Sequence, residues 1–394
     1  MNTEVCIIGA GPAGSTASLY LSKHGVDHIL IDKSSFPRHV VCGEALRGNN
    51  IYWALHHLDE SYFKELQFKA VQQSHRLRLT NRNNEKLTIN LGKTSSLMGR
   101  RIDFDNFLIQ KVKKSNHCTF LEAQQPKNIK YIPNKGYELT VNGETIQAKL
   151  LICATGATST LPQKLGISAK QDLTKVIGTR AHYRGIDIEN SSTDIYFLDI
   201  LKGGYFWIFP LHDGYFNVGL AVKEDALKEN KWNINQLFQQ CVEHPNVSYR
   251  FKNATLQEKG KGKFLHLPSK KMELSKDHLM IAGAVGMAVN PITGYGVGHS
   301  MTMGRFAANH AVEAIKANNF SADFLKKYDS KILKKLRQER LAASFKTYLL
   351  TKTNTVTNLI GFFSRNKSTN QLFRREDLAA NFYNPSFYFK HFFK

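Results

Sequence analysis

Hydrophobic positions along the chain fall into three regimes. The first is a set of short, continuous apolar runs bounded by glycine: Val5–Ile8 breaking at Gly9, Ile29–Ile31 ending on Asp32, Leu150–Ala154 before Gly156, and Leu279–Ala282 before Gly283. Runs of this kind predict buried strands. The second regime alternates. Ser74–Thr80 and Lys86–Leu91, separated by Asn81, Asn83 and Asn84, predict a hairpin. Segments around Thr119–Leu121 and Tyr137–Val141, with the turn Asn142-Gly143, predict a small antiparallel ribbon. From Thr179 to Leu274 strands and turns alternate, with one helical interruption over Asn233–Glu243. The third regime has helical spacing: Ala13, Ala17 and Leu21; a helix-containing stretch from Ala45 to Leu66; Phe104, Leu108 and Val112 in a helix opened by Asp caps; His299–Lys316; and Ala322–Lys352.

Strand, turn, helix, strand at the start, and buried strands far downstream, predict a chain of α/β (α+β) class. A discontinuous Rossmann-like domain is expected from 1–70, 100–165 and 275–320. An inserted antiparallel β-rich substrate domain is expected from 71–99 and 166–274, followed by a basic helical C-terminal region, 321–394.

At 394 residues, 42% hydrophobic and 22% charged, the chain has the composition of an ordinary globular protein. Its charge changes the picture. The net charge is +22, and residues 316–394 hold sixteen Lys or Arg against five Asp or Glu, half the excess in a fifth of the length. That balance predicts attraction to an anionic partner. Five cysteines without a CxxC pair predict neither a disulfide framework nor a metal site. No signal peptide or membrane span is read, so a cytoplasmic setting is expected.

The chemistry starts at Gly9-Ala10-Gly11-Pro12-Ala13-Gly14. Gly9 permits the turn, Gly11 lets backbone approach a diphosphate, and Gly14 lets the helix pack on the strand, while the helix N-terminus at Pro12 and Ala13 offers free N–H groups. Asp32 follows Gly14 by 18 residues, near the roughly 20 expected of a carboxylate that accepts from an adenosine ribose hydroxyl. The loop Ser34–Glu44, with Arg38, Cys42 and Gly43, is placed to reach the cofactor's phosphates or far end. Tyr205, Trp207 and Phe209 share one face of a strand, either as ordinary core or as a wall for a flat or long apolar ligand.

These motifs resemble the geranylgeranyl reductase group of FAD-dependent oxidoreductases, within the p-hydroxybenzoate hydroxylase superfamily. The likeness rests on the opening glycine motif, Phe36-Pro37-Arg38, Cys42-Gly43, the RxxFDxxL-like helix at Arg101, Tyr205-x-Trp207-x-Phe209-Pro210 with Asn217-Val218-Gly219, and Pro291-x-x-Gly294-x-Gly296 before a helix. It implies FAD rather than NAD in the cradle. Cofactor-binding positions would be Gly9, Gly11, Pro12, Ala13, Gly14, Asp32, Lys33, Arg38, Gly43, Arg101, Ala123, Gly156, Gly283, Ala284, Pro291, Gly294, Gly296 and Val297. Val297 would start a helix whose amides aim at the flavin's pyrimidine edge. Two carboxylates usual in the family are replaced, by Thr155 and Ala284.

The resemblance further implies reduction of C=C bonds in an isoprenoid or polyene-like substrate, with Cys42, Tyr205 and Trp207 near the reacting centre and NAD(P)H or another reductant as electron donor. Two other readings stay open: an FAD monooxygenase acting on an aromatic or polyketide-like ring, and a lipid- or FAD-binding protein without catalysis. The partner is expected to be a hydrophobic small molecule. The basic, aromatic-rich C-terminus reads either as a docking segment for an anionic membrane surface or as a helical lid, and no motif for specific nucleic-acid recognition accompanies the charge.

Overall fold

The computed structural model describes residues 1–46, 48–69, 71–91, 96–167, 173–188, 191–268, 273–286, 288–289, 295–335 and 353–365. Two large sheets organise them. In the first, Leu279–Ile281, Glu144–Cys153, Asn2–Ile8, His28–Asp32 and Cys118–Glu122 lie parallel in that order. Val5, Cys6, Ile7, Leu30, Ile31, Leu151, Ile152, Met280 and Ile281 are fully buried, as continuous apolar runs covered on both faces should be. Each Leu or Ile so buried contributes roughly 1.5–3 kcal/mol.

The strand Glu144–Cys153 serves two neighbours along one edge. Its first half pairs antiparallel with Gly136–Val141, and its second half pairs parallel with Leu279–Ile281. Asn142 and Gly143, with φ of 50° and 87°, make the tight turn expected between the two antiparallel strands. The ribbon is completed by Lys127–Ile132 and not, as the alternation suggested, by Thr119–Leu121. Those residues pair parallel with His28–Asp32, because the helix Arg101–Lys113 carries the chain to the far edge of the sheet. Half-burial of an edge strand produces the same alternation in either orientation.

The helix-containing stretch expected over Ala45–Leu66 holds two helices, Gly48–His56 and Glu60–Lys69. One other expectation needs correction. The helix at Arg101 is not capped by an Asp: its N-cap, Arg100, makes no side-chain cap bond, and Asp103 and Asp105 pair with Arg100 and Arg101. Phe104, Leu108 and Val112 do face inward.

The second sheet runs in the order Thr255–Pro268, Leu173–Arg184, Tyr215–Lys223, Tyr205–Pro210, Ser192–Tyr196, Arg76–Thr80, Lys86–Asn90. All neighbours are antiparallel except Ser192–Tyr196 with Arg76–Thr80. The expected hairpin around Asn81–Asn84 therefore joins a sheet built from residues about a hundred positions later. Asn233 accepts from the N–H groups of Asn235 and Gln236 and caps the helix Ile234–Glu243. At the C-terminal end, residues 322–335 are helical, and Thr353–Arg365 lays Ile360 against Leu87 and Ile89 of the hairpin. Among the described residues no helix is long and apolar enough to cross a membrane. The aromatic cluster Phe382–Phe393 and the helical periodicity over 336–352 lie outside the described residues.

The helices Pro12–Lys23 and Val297–Lys316 pack backbone to backbone on the first sheet. A Cβ added to Gly304 would stand 2.1 Å from the Ala13 carbonyl oxygen, and one added to Gly283 would stand 2.8 Å from Ala13 Cβ. We expect Gly304→Ala to separate these helices and lower the unfolding free energy by about 2 kcal/mol. Urea unfolding followed by far-ultraviolet circular dichroism checks this, and an unchanged midpoint contradicts the packing described.

Candidate active site

The glycine turn sits where the first two parallel strands end. Gly9, at φ 103°, donates its N–H to the Ile31 carbonyl at 2.7 Å. A Cβ on Gly14 would lie 1.8 Å from the Gly9 oxygen, so these two glycines serve the fold of the turn itself. Gly11 and Gly156 are different. A Cβ on Gly156 would meet nothing within 4 Å, and one on Gly11 only Arg38 Nη2 at 3.5 Å. They face an open groove bordered by the N-terminus of the helix Pro12–Lys23, which has no acidic residue in its first turn and no side-chain cap. Unoccupied amides, the positive helix end and the Arg38 guanidinium fit a diphosphate.

Asp32 is buried, with both carboxylate oxygens engaged: Oδ2 accepts from Ala10 N–H at 2.7 Å and Oδ1 from Ser34 N–H at 2.8 Å. Beyond any contact with a ribose, it ties the glycine turn to the loop after the second strand. Lys33 is exposed beside it, and Ala123, exposed at φ 58°, donates its N–H to the Ser34 carbonyl. Arg101 is buried and makes a two-point pair with Asp105, Nε–Oδ1 2.7 Å and Nη2–Oδ2 2.8 Å, while Arg38 reaches the same carboxylate at 3.4 Å. Burial works against the Arg101 charge, but the Asp105 carboxylate overrides it and holds the guanidinium above its ordinary value. Gly283 packs on Ala13, Ala284 lies half-buried in a short turn, and Gly296 precedes the helix that begins at Val297. Pro291 and Gly294 lie outside the described residues.

The second sheet carries an aromatic row whose Trp207 and Phe209 are buried in a cluster with Met98, Leu211 and Ala221, against which the partly buried Tyr205 packs. Tyr205, Trp207 and Phe209 follow one another at ring-centroid separations of 5.8 and 5.9 Å. The alternate residues, Phe206 and Ile208, enter the sheet's other core. Trp207 explains the motif around it. Its indole lies over Gly219, where a Cβ would come within 2.3 Å of the ring, and beside Gly43, where a Cβ would stand 3.7 Å from it. Its Nε1–H donates to Asn217 Oδ1 at 2.8 Å. Asn217 in turn donates from Nδ2 to the Cys42 carbonyl and to Glu44 Oε2, at 3.0 and 2.8 Å. Trp207, Gly43 and Cys42 are thus brought together, with Tyr205 next in line.

Glu44 was not singled out by motif or spacing. It is 2% exposed, at φ 61°. Its Oε1 accepts from Arg101 N–H at 3.0 Å, and its Oε2 meets His182 Nε2 at 2.7 Å. His182 Nδ1 lies 2.8 Å from Glu258 Oε2, which also takes Arg180 Nη1 at 2.7 Å. His182 and Glu258 are register partners on adjacent strands, a juxtaposition that only sheet pairing creates. A cavity of about 400 Å³ borders the group, lined among others by His39, Arg100, Tyr215 and Gln257.

Burial pushes the thiols of Cys6 and Cys241 up to about 12 and that of Cys153 up to about 11. All three stay protonated near neutrality. Cys42, half-buried, accepts at Sγ from Glu44 N–H at 3.4 Å.

A profile of the FAD binding domain matches residues 2–43, and a profile of the geranylgeranyl reductase catalytic domain matches residues 175–259, which contain the whole aromatic strand with Asn217 and His182. A digeranylgeranylglycerophospholipid reductase of Methanococcus aeolicus is 31% identical over 338 residues, covering 83% of this chain and 81% of that protein. The chain belongs to the geranylgeranyl reductase family. It is an FAD-dependent oxidoreductase, which sets aside a binding role without catalysis. In fold, this family member resembles a geranylgeranyl bacteriochlorophyll reductase-like protein of Thermoplasma acidophilum, with a TM-score of 0.81, 21% identity, and coverage of 99% of this chain and 98% of that one. It also resembles the flavin-dependent brominase Bmp2, with a TM-score of 0.72, 20% identity, and coverage of 98% and 100%.

Because Asp32 supports the turn as well as facing the groove, Asp32→Ala removes an acceptor from two N–H groups at once. Each lost bond to a carboxylate costs about 1.5–3 kcal/mol. We expect at least a tenfold weaker FAD affinity, read as loss of flavin absorbance through gel filtration. Full flavin occupancy in the variant contradicts the role given to Asp32.

Proposed function

We propose that the protein reduces carbon–carbon double bonds in the prenyl chains of a hydrophobic lipid, with FAD as cofactor and NAD(P)H or another reductant as electron donor. The observation that carries this reading is the aromatic face of Tyr205, Trp207 and Phe209, held against the cofactor-side loop by the Trp207–Asn217–Cys42 contacts. That relatives in Methanococcus are named digeranylgeranylglycerophospholipid reductases supports the choice of substrate class.

When bound, FAD supplies the hydride. The residues of the chain supply position and exclusion. Gly11, Gly156, Arg38 and the N-terminus of the helix Pro12–Lys23 would hold the diphosphate, and the start of the helix at Val297 would favour negative charge at its end of the groove. Trp207, fixed in tilt by Gly219 and Asn217 and buried among its neighbours, would back the partly exposed Tyr205 in an apolar wall along which an extended prenyl chain lies with its reacting carbons away from water. Cys42 flanks that wall. The excess positive charge of residues 316–394 supports a peripheral position at an anionic membrane surface, where such a lipid resides.

The test is anaerobic turnover of the FAD-loaded protein with dithionite and vesicles of a digeranylgeranyl glycerophospholipid, followed by lipid mass spectrometry. The expected product gains two hydrogens per double bond. Unchanged lipid, or oxygen inserted into an aromatic test substrate in air, contradicts the reading.

A further inference from the structure

We propose that Glu44, His182 and Glu258 form a proton relay that carries, from the adjoining cavity, the proton consumed with each double bond. This deepens the reductase reading and rests on it.

Hydrogen counting within the cluster comes first. His182 meets a carboxylate oxygen at both ring nitrogens, Glu44 Oε2 at 2.7 Å and Glu258 Oε2 at 2.8 Å. Each contact of that length needs a hydrogen between its atoms, and a neutral imidazole carries one. The second is supplied by the ring as an imidazolium, by one of the carboxyl groups, or by Arg180 Nη1, which lies 3.3 Å from Nδ1 and 2.7 Å from Glu258 Oε2. The ring thus joins the two carboxyl groups through hydrogens at both nitrogens. Arg180, donating to Glu258 at 2.7 Å, balances the outer carboxylate. Among the described residues, Arg180 Nη1, 3.3 Å from Nδ1, and Tyr215, with its centroid at 6.4 Å in an edge contact, also face the ring.

Position comes second. Glu44 lies at the inner end, two residues from Cys42, and Asn217 connects it to Trp207. Its orientation is fixed by Asn217 Nδ2 on one oxygen and Arg101 N–H on the other. All three residues, with His39 and Gln257, line the cavity of about 400 Å³, through which water reaches the cluster. An ion pair serving stability alone has no use for such an opening, and buried charged clusters are on average poor stabilisers.

The step balances simply. The hydride that reduced FAD supplies forms one C–H bond, the Glu44 carboxyl proton forms the other, and the π bond breaks. The flavin is oxidised and the double bond reduced. Glu44 regains its proton from His182, and the cluster regains one from water in the cavity.

The test uses the full-length FAD holoenzyme in D₂O, reduced with dithionite and mixed with vesicles of a digeranylgeranyl glycerophospholipid. Flavin reoxidation and deuterium content of the lipid are followed. Wild type should place two deuteriums in each saturated bond, one by way of the reduced flavin, whose transferable hydrogen comes from solvent when dithionite is the reductant, and one by way of Glu44. Glu44→Gln should keep its FAD and its reduction by dithionite, while reoxidation slows about 100-fold. Glu44→Gly, which suits the backbone at φ 61°, leaves room for a small acid, and added formate should recover at least tenfold of its lost rate. In the FAD-free protein, ¹⁵N resonances of His182 should show both ring nitrogens hydrogen-bonded, with Glu44→Gln removing one. An active wild type beside an FAD-loaded Glu44→Gln of equal reoxidation rate overturns the relay alone. A wild type that is reduced but leaves every double bond intact overturns the reductase reading with it.

Discussion

One buried carboxylate joins the two halves of the molecule. Glu44 belongs to the loop that leaves the cofactor-binding sheet, yet three of its contacts draw on other parts of the chain: Arg101 N–H from the crossover helix, and Asn217 and His182 from the second sheet. Burying a charge at a 2% exposed position costs several kcal/mol unless donors surround it. The arrangement is therefore cooperative: the aromatic strand must be in register for Asn217 to arrive, and the loop must be in place for Asn217 to find its acceptors. Trp207 inherits its position from the same bonds.

The glycines divide by what they face. Gly9, Gly14, Gly283, Gly304 and Gly219 are filled against by protein, each where a Cβ would strike backbone or a packed side chain. Gly11 and Gly156 open onto the groove. Within the first group, Gly283 and Gly304 let the first and last helices of the cofactor sheet pack together and Gly219 makes room for Trp207, while the second group leaves the backbone bare where a diphosphate must approach. Thr155 and Ala284, which stand where the family usually carries carboxylates, adjoin the glycine turn: Gly9 abuts Thr155, and Gly283, just before Ala284, packs on Ala13. That leaves Asp32 and the Arg38–Asp105–Arg101 cluster as the charged framework near the beginning of the groove.

Much of this was legible in the sequence. The continuous apolar runs marked the parallel strands, because burial on both faces removes alternation. Asn233, the Asn142-Gly143 turn and Tyr205-x-Trp207-x-Phe209 each announced local geometry that the structure contains. The failures have physical causes. Cys118–Glu122 looked like a ribbon strand because a half-buried edge alternates whichever way its partner runs. Asp103 and Asp105 looked like caps, but neighbouring arginines took them. Glu44, His182, Glu258 and Arg180 were invisible: they share no spacing, and only the pairing of Leu173–Arg184 with Thr255–Pro268, and the loop laid against it, makes them neighbours.

The central claim is that the polar node at Asn217 holds the cofactor-side loop on the aromatic sheet. Hydrogen–deuterium exchange of wild type and Asn217→Ala tests it most directly, read peptide by peptide. The account predicts that protection falls together in residues 42–46, in the Arg101 turn and in the strand carrying His182, while the parallel strands around Ile7 and Ile152 keep theirs. Unchanged exchange across residues 42–46 in the variant would contradict it.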